Sequence, residues 1–300
     1  MNKTILIAAL SLSLLPSVHA QSAASSGVLS NLSVNGTMDL ETQYIFRGKK
    51  VTNAAFQPSV NINYGNIAGG SATAYAWTSQ PIGRAGSGPG PNQNNEIDLG
   101  IKYDNSLPGV SNTGYELGFQ MYWYPNFSGT PGWLSRNYEL HVGLNYDTTD
   151  LLNSAGVGKY NIQPSLTYFH DVVLDSNTFQ AQLASYTFDL SDTFGLKGVT
   201  LTPTATLGWT GFHRTYGDEQ PAGVPAWANS FYYYELDLEL DYKPNNTGTT
   251  TFFLGGHYAG NSDGTTGAGF FTVDGNPQRT GTAGGSQDNI WFGFGIKFNQ

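Results

Sequence analysis

The chain has 300 residues, a formal net charge of −9 from 22 acidic and 13 basic residues, and no cysteine. The acidity argues against a nucleic-acid partner, which would need a clustered basic face, and the lack of cysteine excludes a disulfide framework in an exported chain. With 38 glycines, 18 tyrosines and 17 phenylalanines, the chain is rich in turn formers and aromatic residues.

Residues 1–20 are typical of a signal peptide. Lys3 supplies the positive n-region, residues 5–15 form the apolar h-region, and a small-residue cleavage site ends at Ala20. We expect cleavage after Ala20 and a periplasmic N-terminal segment over 21–34. Beyond Ala20 no apolar run reaches the roughly 20 residues that a membrane helix needs. If the chain spans a membrane, it must therefore do so with β-strands.

From about residue 35 onward, apolar and polar residues alternate in one segment after another. Side chains on a strand point to opposite faces in turn, so each such segment has one apolar and one polar face. The alternation predicts about twelve strands, with ten or fourteen left open as alternatives. The predicted strands cover 36–47, 55–65, 71–79, 96–104, 114–124, 136–147, 159–169, 178–188, 199–209, 231–242, 250–259 and 288–298.

Three of these strands carry specific expectations. In the third strand we expect Thr73, Tyr75 and Trp77 to face lipid. In the eighth strand the alternation breaks after Leu183, which predicts a bulge or a register change. The first strand is predicted to run without interruption as far as Arg47.

The connections between predicted strands alternate between a long and a short set. Long extracellular loops, short periplasmic turns and both termini in the periplasm are typical of outer-membrane barrels. The sequence therefore predicts an all-β fold: one transmembrane antiparallel up-and-down β-barrel over 35–300. A soluble β-sandwich is the alternative, and strands with so many charges on one face disfavour it. The long set covers 80–95, 125–135, 210–229 and 260–286, with shorter members near 48–54 and 170–177.

The last predicted strand resembles the aromatic-ended terminal strand by which outer-membrane barrels are recognised for assembly. It runs from Trp291 to Phe298, and the chain continues through Asn299 and Gln300, so the signal is slightly offset. The resemblance implies the outer-membrane assembly machinery as a partner and the outer membrane of a Gram-negative bacterium as the location.

Short motifs in the N-terminal half resemble the Gcw_chp-type family of uncharacterised exported bacterial proteins. The resemblance is loose in the second half, and Lys49-Lys50 departs from the uncharged residues expected there. It implies an outer-membrane barrel of unassigned substrate and supplies no catalytic residue. The motifs are Tyr44-Ile45-Phe46-Arg47-Gly48, Pro58, Trp77-Thr78-Ser79, Glu96-Ile97-Asp98-Leu99 and Tyr122-Trp123-Tyr124-Pro125.

If the apolar faces meet lipid, the polar faces line a lumen with an excess of acids. Such a lumen favours cations or neutral polar solutes over anions. Glu96, Glu139 and Glu235 would form a collar near the extracellular mouth, within reach of Arg47. An Arg–carboxylate clamp and merely solvated charges are the two alternatives. The pore-lining candidates are Asp39, Glu41, Arg47, Glu96, Asp98, Lys102, Glu116, Glu139, His141, Glu235, Asp237, Glu239, Asp241 and His257.

The function that this pattern favours is a porin-like channel for passive diffusion of small polar or cationic solutes. A non-conducting structural or adhesive barrel, acting through loops 210–229 and 260–286, is the alternative. An outer-membrane lipid hydrolase is disfavoured, because Ser185 is the only serine candidate near His170 and Asp171. We expect no enzyme activity, cofactor or metal site, since the histidines are scattered. Association as a monomer or as a homo-oligomer stays open.

Overall fold

The structure is a computed structural model that describes residues 28–82, 95–125, 136–155, 162–173, 176–184, 187–212, 231–244, 248–262 and 287–299. The chain divides into two compact units, Met1–Leu32 and Ser33–Gln300. In the first unit Val28–Asn31 form a 3-10 helix, and the predicted signal peptide lies outside the described residues. None of the helices among the described residues has the length and apolar character that crossing a membrane requires.

Strands make up nearly all of the regular structure in the second unit. Two short helices, α1 (Thr149–Ser154) and α2 (Ser191–Phe194), lie between strands. The strands are β1 (Leu32–Glu41), β2 (Tyr44–Phe46), β3 (Lys49–Thr52), β4 (Ala55–Phe56), β5 (Ser59–Ile67), β6 (Gly70–Pro81), β7 (Glu96–Ser106), β8 (Thr113–Trp123), β9 (Arg136–Tyr146), β10 (Gln163–Asp171), β11 (Ser176–Ala184), β12 (Phe188–Asp189), β13 (Val199–Phe212), β14 (Phe231–Tyr242), β15 (Thr250–Asn261) and β16 (Gln287–Asn299).

Antiparallel pairing closes these strands into one barrel. Each strand from β5 to β10 pairs with the next strand in the chain. β11 then pairs with β13, and each strand from β13 to β15 again pairs with the next one. β16 pairs with β1. β1 also pairs with β4 and β5, and both of these pair with β6, so β4 and β5 together count as one position of the ring. In the same way β12 pairs with β13, as β11 does, and β11 and β12 together count as one position. The ring order β1-β5-β6-β7-β8-β9-β10-β11-β13-β14-β15-β16 has twelve positions. The predicted fold class and strand number are confirmed.

The two faces of the barrel differ sharply in character. Outward-facing Ile101, Leu207 and Ile290 are 60%, 65% and 63% exposed. The neighbouring inward positions, such as Lys102, Thr206 and Trp291, carry polar groups or aromatic rings and are buried or half-buried. This follows from the alternation of side chains along a strand, because the outer face of each strand packs against no other part of the described chain.

The third predicted strand faces the opposite way from the prediction. Thr73, Tyr75 and Trp77 of β6 point into the lumen: the Tyr75 hydroxyl donates a hydrogen bond to Gln120 Oε1 at 2.8 Å, and the Trp77 ring lies 5.3 Å from that of Tyr44. The outward face of β6 consists of Ala72, Ala74, Ala76 and Thr78. The prediction was wrong because the larger aromatic residues here fill the lumen rather than meet lipid.

The first predicted strand is shorter than expected. β1 ends at Glu41, and Tyr44–Phe46 form β2, which pairs only with β3 in a separate two-stranded sheet. Tyr44 is therefore buried inside and does not share the outer face of Met38 and Leu40. The predicted loop near 48–54 is in large part the second strand of this hairpin.

The expected irregularity of the eighth predicted strand is present as a register change: Ala184 pairs with Thr204 of β13 and Phe188 with Leu201, which is a shift of one residue. β11 ends at Ala184, and the two-residue strand β12 resumes the pairing, with Phe188 opposite Leu201 of β13. The predicted long connections 80–95, 125–135, 210–229 and 260–286 fall for the most part outside the described residues.

Candidate functional site

The strands β2 and β3, which lie between β1 and β4 in the chain, form a β-hairpin. Its two-residue turn is Arg47-Gly48. Both turn residues have a positive φ, 50° at Arg47 and 72° at Gly48, as the type I′ turn of a tight hairpin requires. The left-handed conformation costs a non-glycine residue about 1–2 kcal/mol. Contacts of the Arg47 side chain must therefore offset this cost.

The Arg47 side chain forms an ion pair with Glu139 on the inner face of β9. Its Nη2 atom lies 3.0 and 2.9 Å from the two carboxylate oxygens, and the two side chains are only 10% and 3% exposed. Tyr122 of β8 donates its hydroxyl to the same carboxylate at 3.0 Å, and the Phe169 ring centre lies 4.9 Å from the guanidinium carbon. Burial lowers the pKa of Arg47, but Glu139, Tyr122 and Tyr233 together raise it by more, so the pKa lies above its ordinary value.

The remainder of the hairpin contacts the opposite side of the barrel. The Gly48 carbonyl oxygen accepts a hydrogen bond from Asn261 Nδ2 of β15 at 2.7 Å. Ile45 packs with Ala259 of β15 and Trp291 of β16. β9 and β15 stand five positions apart in the ring of twelve, so the hairpin reaches across the lumen. It does so at the end of the barrel where β1 ends and away from the chain termini.

The inward acids of β7 have neutral partners. Glu96 accepts a hydrogen bond from the Tyr124 hydroxyl at 3.1 Å, and Asp98 accepts one from Gln120 Nε2 at 2.9 Å. Within the described ranges neither carboxylate forms an ion pair with lysine or arginine. These acids line the lumen wall beside the hairpin.

Among the described residues, the inward lysines Lys102 and Lys297 each pair with carboxylates, Lys102 on the neighbouring strand β8 and Lys297 across β15 on β14. Lys102 Nζ lies 2.7 Å from Glu116, whose other oxygen lies 3.0 Å from Nε2 of His141. Lys297 Nζ lies 2.6 Å from Glu239 and 3.0 Å from Asp241. The positive charge of the wall is thus already matched, and the remaining acids are in excess.

The largest unmatched group of acids lies where β1, β14 and β15 face the lumen. Asp39, Glu41, Glu235 and Asp237 surround His257, whose Nδ1 lies 2.6 Å from Asp237 Oδ1. None of these four carboxylates forms an ion pair with lysine or arginine in the part of the chain that the structure describes. Glu235, Asp237 and His257 offer ligand atoms within 4.8 Å of one another.

The predicted pore-lining residues occupy one surface. Thirteen lie on inward faces of barrel strands and Arg47 reaches that surface from the hairpin. Of the predicted collar, Glu139 contacts Arg47, while Glu96 and Glu235 have other neighbours. Sequence reasoning missed the hairpin and the inward Tyr75, Trp77 and Tyr122. The signal that could have identified the hairpin is the glycine-containing step Arg47-Gly48 directly after the apolar run Tyr44-Ile45-Phe46.

The residues weighed for a lipid hydrolase do not come together among the described side chains. His170 faces outward and its Nδ1 lies 3.0 Å from Asn177 Oδ1, whereas Asp171 is buried on the inward face. Ser185 lies outside the described residues.

Substituting Gly48 by alanine should weaken the docking of the hairpin. A Cβ atom there would lie 2.5 Å from the Gly260 carbonyl oxygen and 2.8 Å from Tyr233 Cβ. Gly109→Ala is the matched control, because Gly109 also has a positive φ, 78°, but nothing lies within 4 Å of its added Cβ. We expect Gly109→Ala to cost about 1–2 kcal/mol through backbone strain alone, and Gly48→Ala to cost more, as measured by denaturant unfolding. Equal losses would contradict tight packing of the turn.

The comparisons with known proteins give structural neighbours only. No family model matches the chain, and no curated protein matches it. Solved structures similar to the chain include a NanC porin (12% identity, 89% of this chain and 98% of that chain, TM-score 0.44) and a KdgM porin (12%, 89% and 98%, TM-score 0.44). LpxR from Salmonella typhimurium is similar at 12% identity over 89% of this chain and 99% of that chain, with a TM-score of 0.46. Similarity at this level carries no argument, so the architecture rests on the strand pairing described above.

Proposed function

We propose that the chain is an outer-membrane β-barrel protein with a porin-like lumen for small polar or cationic solutes, restricted by the Arg47 hairpin. The observation that carries the proposal is the combination of an apolar outer face with a net acidic inner face on one closed barrel. A closed barrel leaves no strand edge unpaired, which is what a lipid environment demands of strands.

The outer face supports membrane residence. Large apolar side chains are exposed on nearly every barrel position. Together they form a contiguous apolar surface far larger than the few hundred Å² that soluble monomers expose. With the termini in the periplasm, as in outer-membrane barrels, the hairpin lies at the extracellular end. The exposed apolar side chains on the strands include Val60, Ile62, Leu99, Ile101, Leu117, Phe119, Leu140, Val142, Leu144, Leu166, Phe179, Leu183, Leu207, Leu236, Leu238, Phe252, Leu254, Ile290, Phe292 and Phe294.

The inner face supports a preference for cations. Among the described side chains of this face, Lys102 and Lys297 are the basic ones, with Arg47 added by the hairpin, and all three pair with carboxylates. Rings of acidic side chains favour cations in pores. Outer-membrane lipid and small polar solutes are therefore the partners that we propose.

Planar-bilayer recordings of the refolded protein test this proposal. In a potassium chloride gradient we expect a reversal potential that favours potassium, because the unmatched lumen acids repel chloride. Neutralising Glu235, Asp237, Glu239 and Asp241 to their amides should reduce the preference. The matched control, Asp147→Asn with Asp150→Asn, changes exposed acids outside the strands and should leave it unchanged. A reversal potential that favours chloride would refute the acidic-lumen argument.

A non-conducting barrel that acts through its surface loops is the second candidate. The hairpin favours it, because contacts on both β9 and β15 place protein across the lumen. If neither the wild-type chain nor a variant with a released hairpin conducts, the channel proposal fails and this candidate replaces it. We also propose that the chain belongs to the Gcw_chp-type family and that the outer-membrane assembly machinery recognises its last strand, which carries Phe298.

A further inference from the structure

We propose that His257, Glu41 and Glu235 form a binding site for a divalent first-row transition-metal ion inside the lumen, with Asp237 as the residue that positions His257. The site goes beyond the proposed channel function, because it requires only that these four side chains converge. Sequence spacing predicts no such site, since the residues lie on three different strands and are brought together by strand pairing.

His257 is held in an orientation suited to binding a metal. Its Nδ1 lies 2.6 Å from Asp237 Oδ1, and its ring stacks on Trp291 with 4.9 Å between centroids and 13° between planes. A carboxylate on one ring nitrogen fixes the tautomer and makes the other nitrogen a better ligand, as in the carboxylate–histidine pairs of metal sites. His257 Nε2 therefore presents its lone pair to the lumen.

Glu41 supplies an independent sign that a ligand is missing from this arrangement. Its side chain is 9% exposed, and its Oε2 atom has no N–H or hydroxyl donor; the neighbouring group there is the carboxyl group of Asp39. Burying a carboxylate oxygen with no partner is costly, so such groups are rare unless they bind something. Its other oxygen, Oε1, lies 3.8 Å from His257 Nε2. The carboxylate is thus directed at the histidine.

The 3.8 Å gap between Glu41 Oε1 and His257 Nε2 fits a bridging ion. It is too long for a hydrogen bond. Two ligands that each lie about 2.1 Å from one ion are about 3.4 Å apart at a tetrahedral angle. A small movement of the Glu41 side chain would therefore place both atoms on one ion, and Glu235, which lies in the same cluster, is the third ligand.

Two inward glycines make room for this arrangement. A Cβ atom on Gly293 would overlap the Glu41 carboxylate, and one on Gly255 would press against His257 Nε2. With hydrogen in place of a side chain at both positions, Glu41 and His257 lie flat on the barrel wall and face each other.

The ligand set selects the class of ion. Carboxylates alone suit Mg²⁺ and Ca²⁺, whereas an imidazole among them favours ions such as Zn²⁺, Fe²⁺ or Ni²⁺. Asp39 adds a further carboxyl group beside Glu41, so four carboxyl groups and one imidazole face this part of the lumen.

Titrating the full refolded chain in detergent with Zn²⁺ alone tests the site by calorimetry. We expect His257→Gln and Glu235→Gln each to weaken Zn²⁺ binding by at least about tenfold, as loss of a ligand or of its support typically does. His141→Gln is the matched control, because His141 is also an inward histidine with a carboxylate partner, and its binding should match the wild type. Circular dichroism of each variant reports whether the barrel has folded.

Three results would overturn the proposal: no Zn²⁺ binding to the wild-type chain at millimolar concentration, unchanged affinity in His257→Gln, or equal affinity for Ca²⁺. Co²⁺ bound to the wild-type chain gives a second measurement that needs no variant. It should absorb in the visible range as a four- or five-coordinate ion, and the pale spectrum of hydrated Co²⁺ would count against the site. Because binding is measured without a bilayer, failure of the channel proposal leaves this result intact, and the reverse also holds.

Discussion

Ala205→Arg should destabilise the barrel in a lipid bilayer by about 2–4 kcal/mol, the cost of an arginine on the lipid face near the bilayer midplane. Ala205 faces outward at the middle of β13, opposite Leu236 of β14 and Leu183 of β11. A guanidinium there would have only apolar neighbours and hydrocarbon around it. Urea unfolding of the protein reconstituted in phospholipid vesicles measures the loss.

Thr204→Arg is the matched control for this prediction. Thr204 is the adjacent residue of β13, but it faces the lumen opposite Asp237. The same guanidinium placed there has water and a carboxylate beside it, so we expect a much smaller loss. If both variants lose the same stability, or if Ala205→Arg is neutral, the outer face is not in contact with lipid.

Arg47→Leu should release the hairpin and raise the conductance of the barrel several-fold. The substitution leaves the Glu139 carboxylate 3% exposed without its cationic partner, and an unpaired buried charge costs about 3–5 kcal/mol. Undocking the hairpin lets water reach Glu139 and avoids most of this cost. Single-channel recordings of wild type and variant in planar bilayers measure the change.

Two further variants separate release of the hairpin from loss of stability. Arg136→Leu removes an exposed arginine from the strand that carries Glu139 and should leave conductance unchanged. Arg47→Leu combined with Glu139→Leu removes the buried charge as well, so stability should recover while conductance stays high. Wild-type conductance in Arg47→Leu would show that the hairpin does not restrict the lumen.

The Arg47–Glu139 pair explains why the turn tolerates an arginine in the left-handed conformation. Asparagine, aspartate or glycine would adopt a positive φ at lower cost. Only a long cationic side chain reaches the carboxylate on β9 from the tip of the hairpin while Gly48 contacts β15 on the other side. The strained backbone and the buried ion pair therefore serve the same purpose, which is to hold the hairpin across the lumen.

Period-two alternation was sufficient to predict the barrel strands. β14 has the predicted bounds, Phe231–Tyr242, because its outer leucines and tyrosines alternate with four acids without a break. In β7 the alternation of Ile97, Leu99 and Ile101 with charged residues likewise assigned the inner and outer faces. One face of such a strand must avoid water and the other must reach it, so the sequence pattern alone determines which way each side chain points.

The sequence by itself determined the fold class, the number of strands and the two faces of most strands. It could not orient β6, because tyrosine and tryptophan are stable both at a lipid interface and against other rings inside a lumen. Nor could it predict the hairpin or the convergence of Glu41, Asp237 and His257, because these depend on contacts between strands far apart in the chain. Those contacts exist only once the sheet has closed, and so the tertiary structure alone decided what lies across the lumen and which acids meet there.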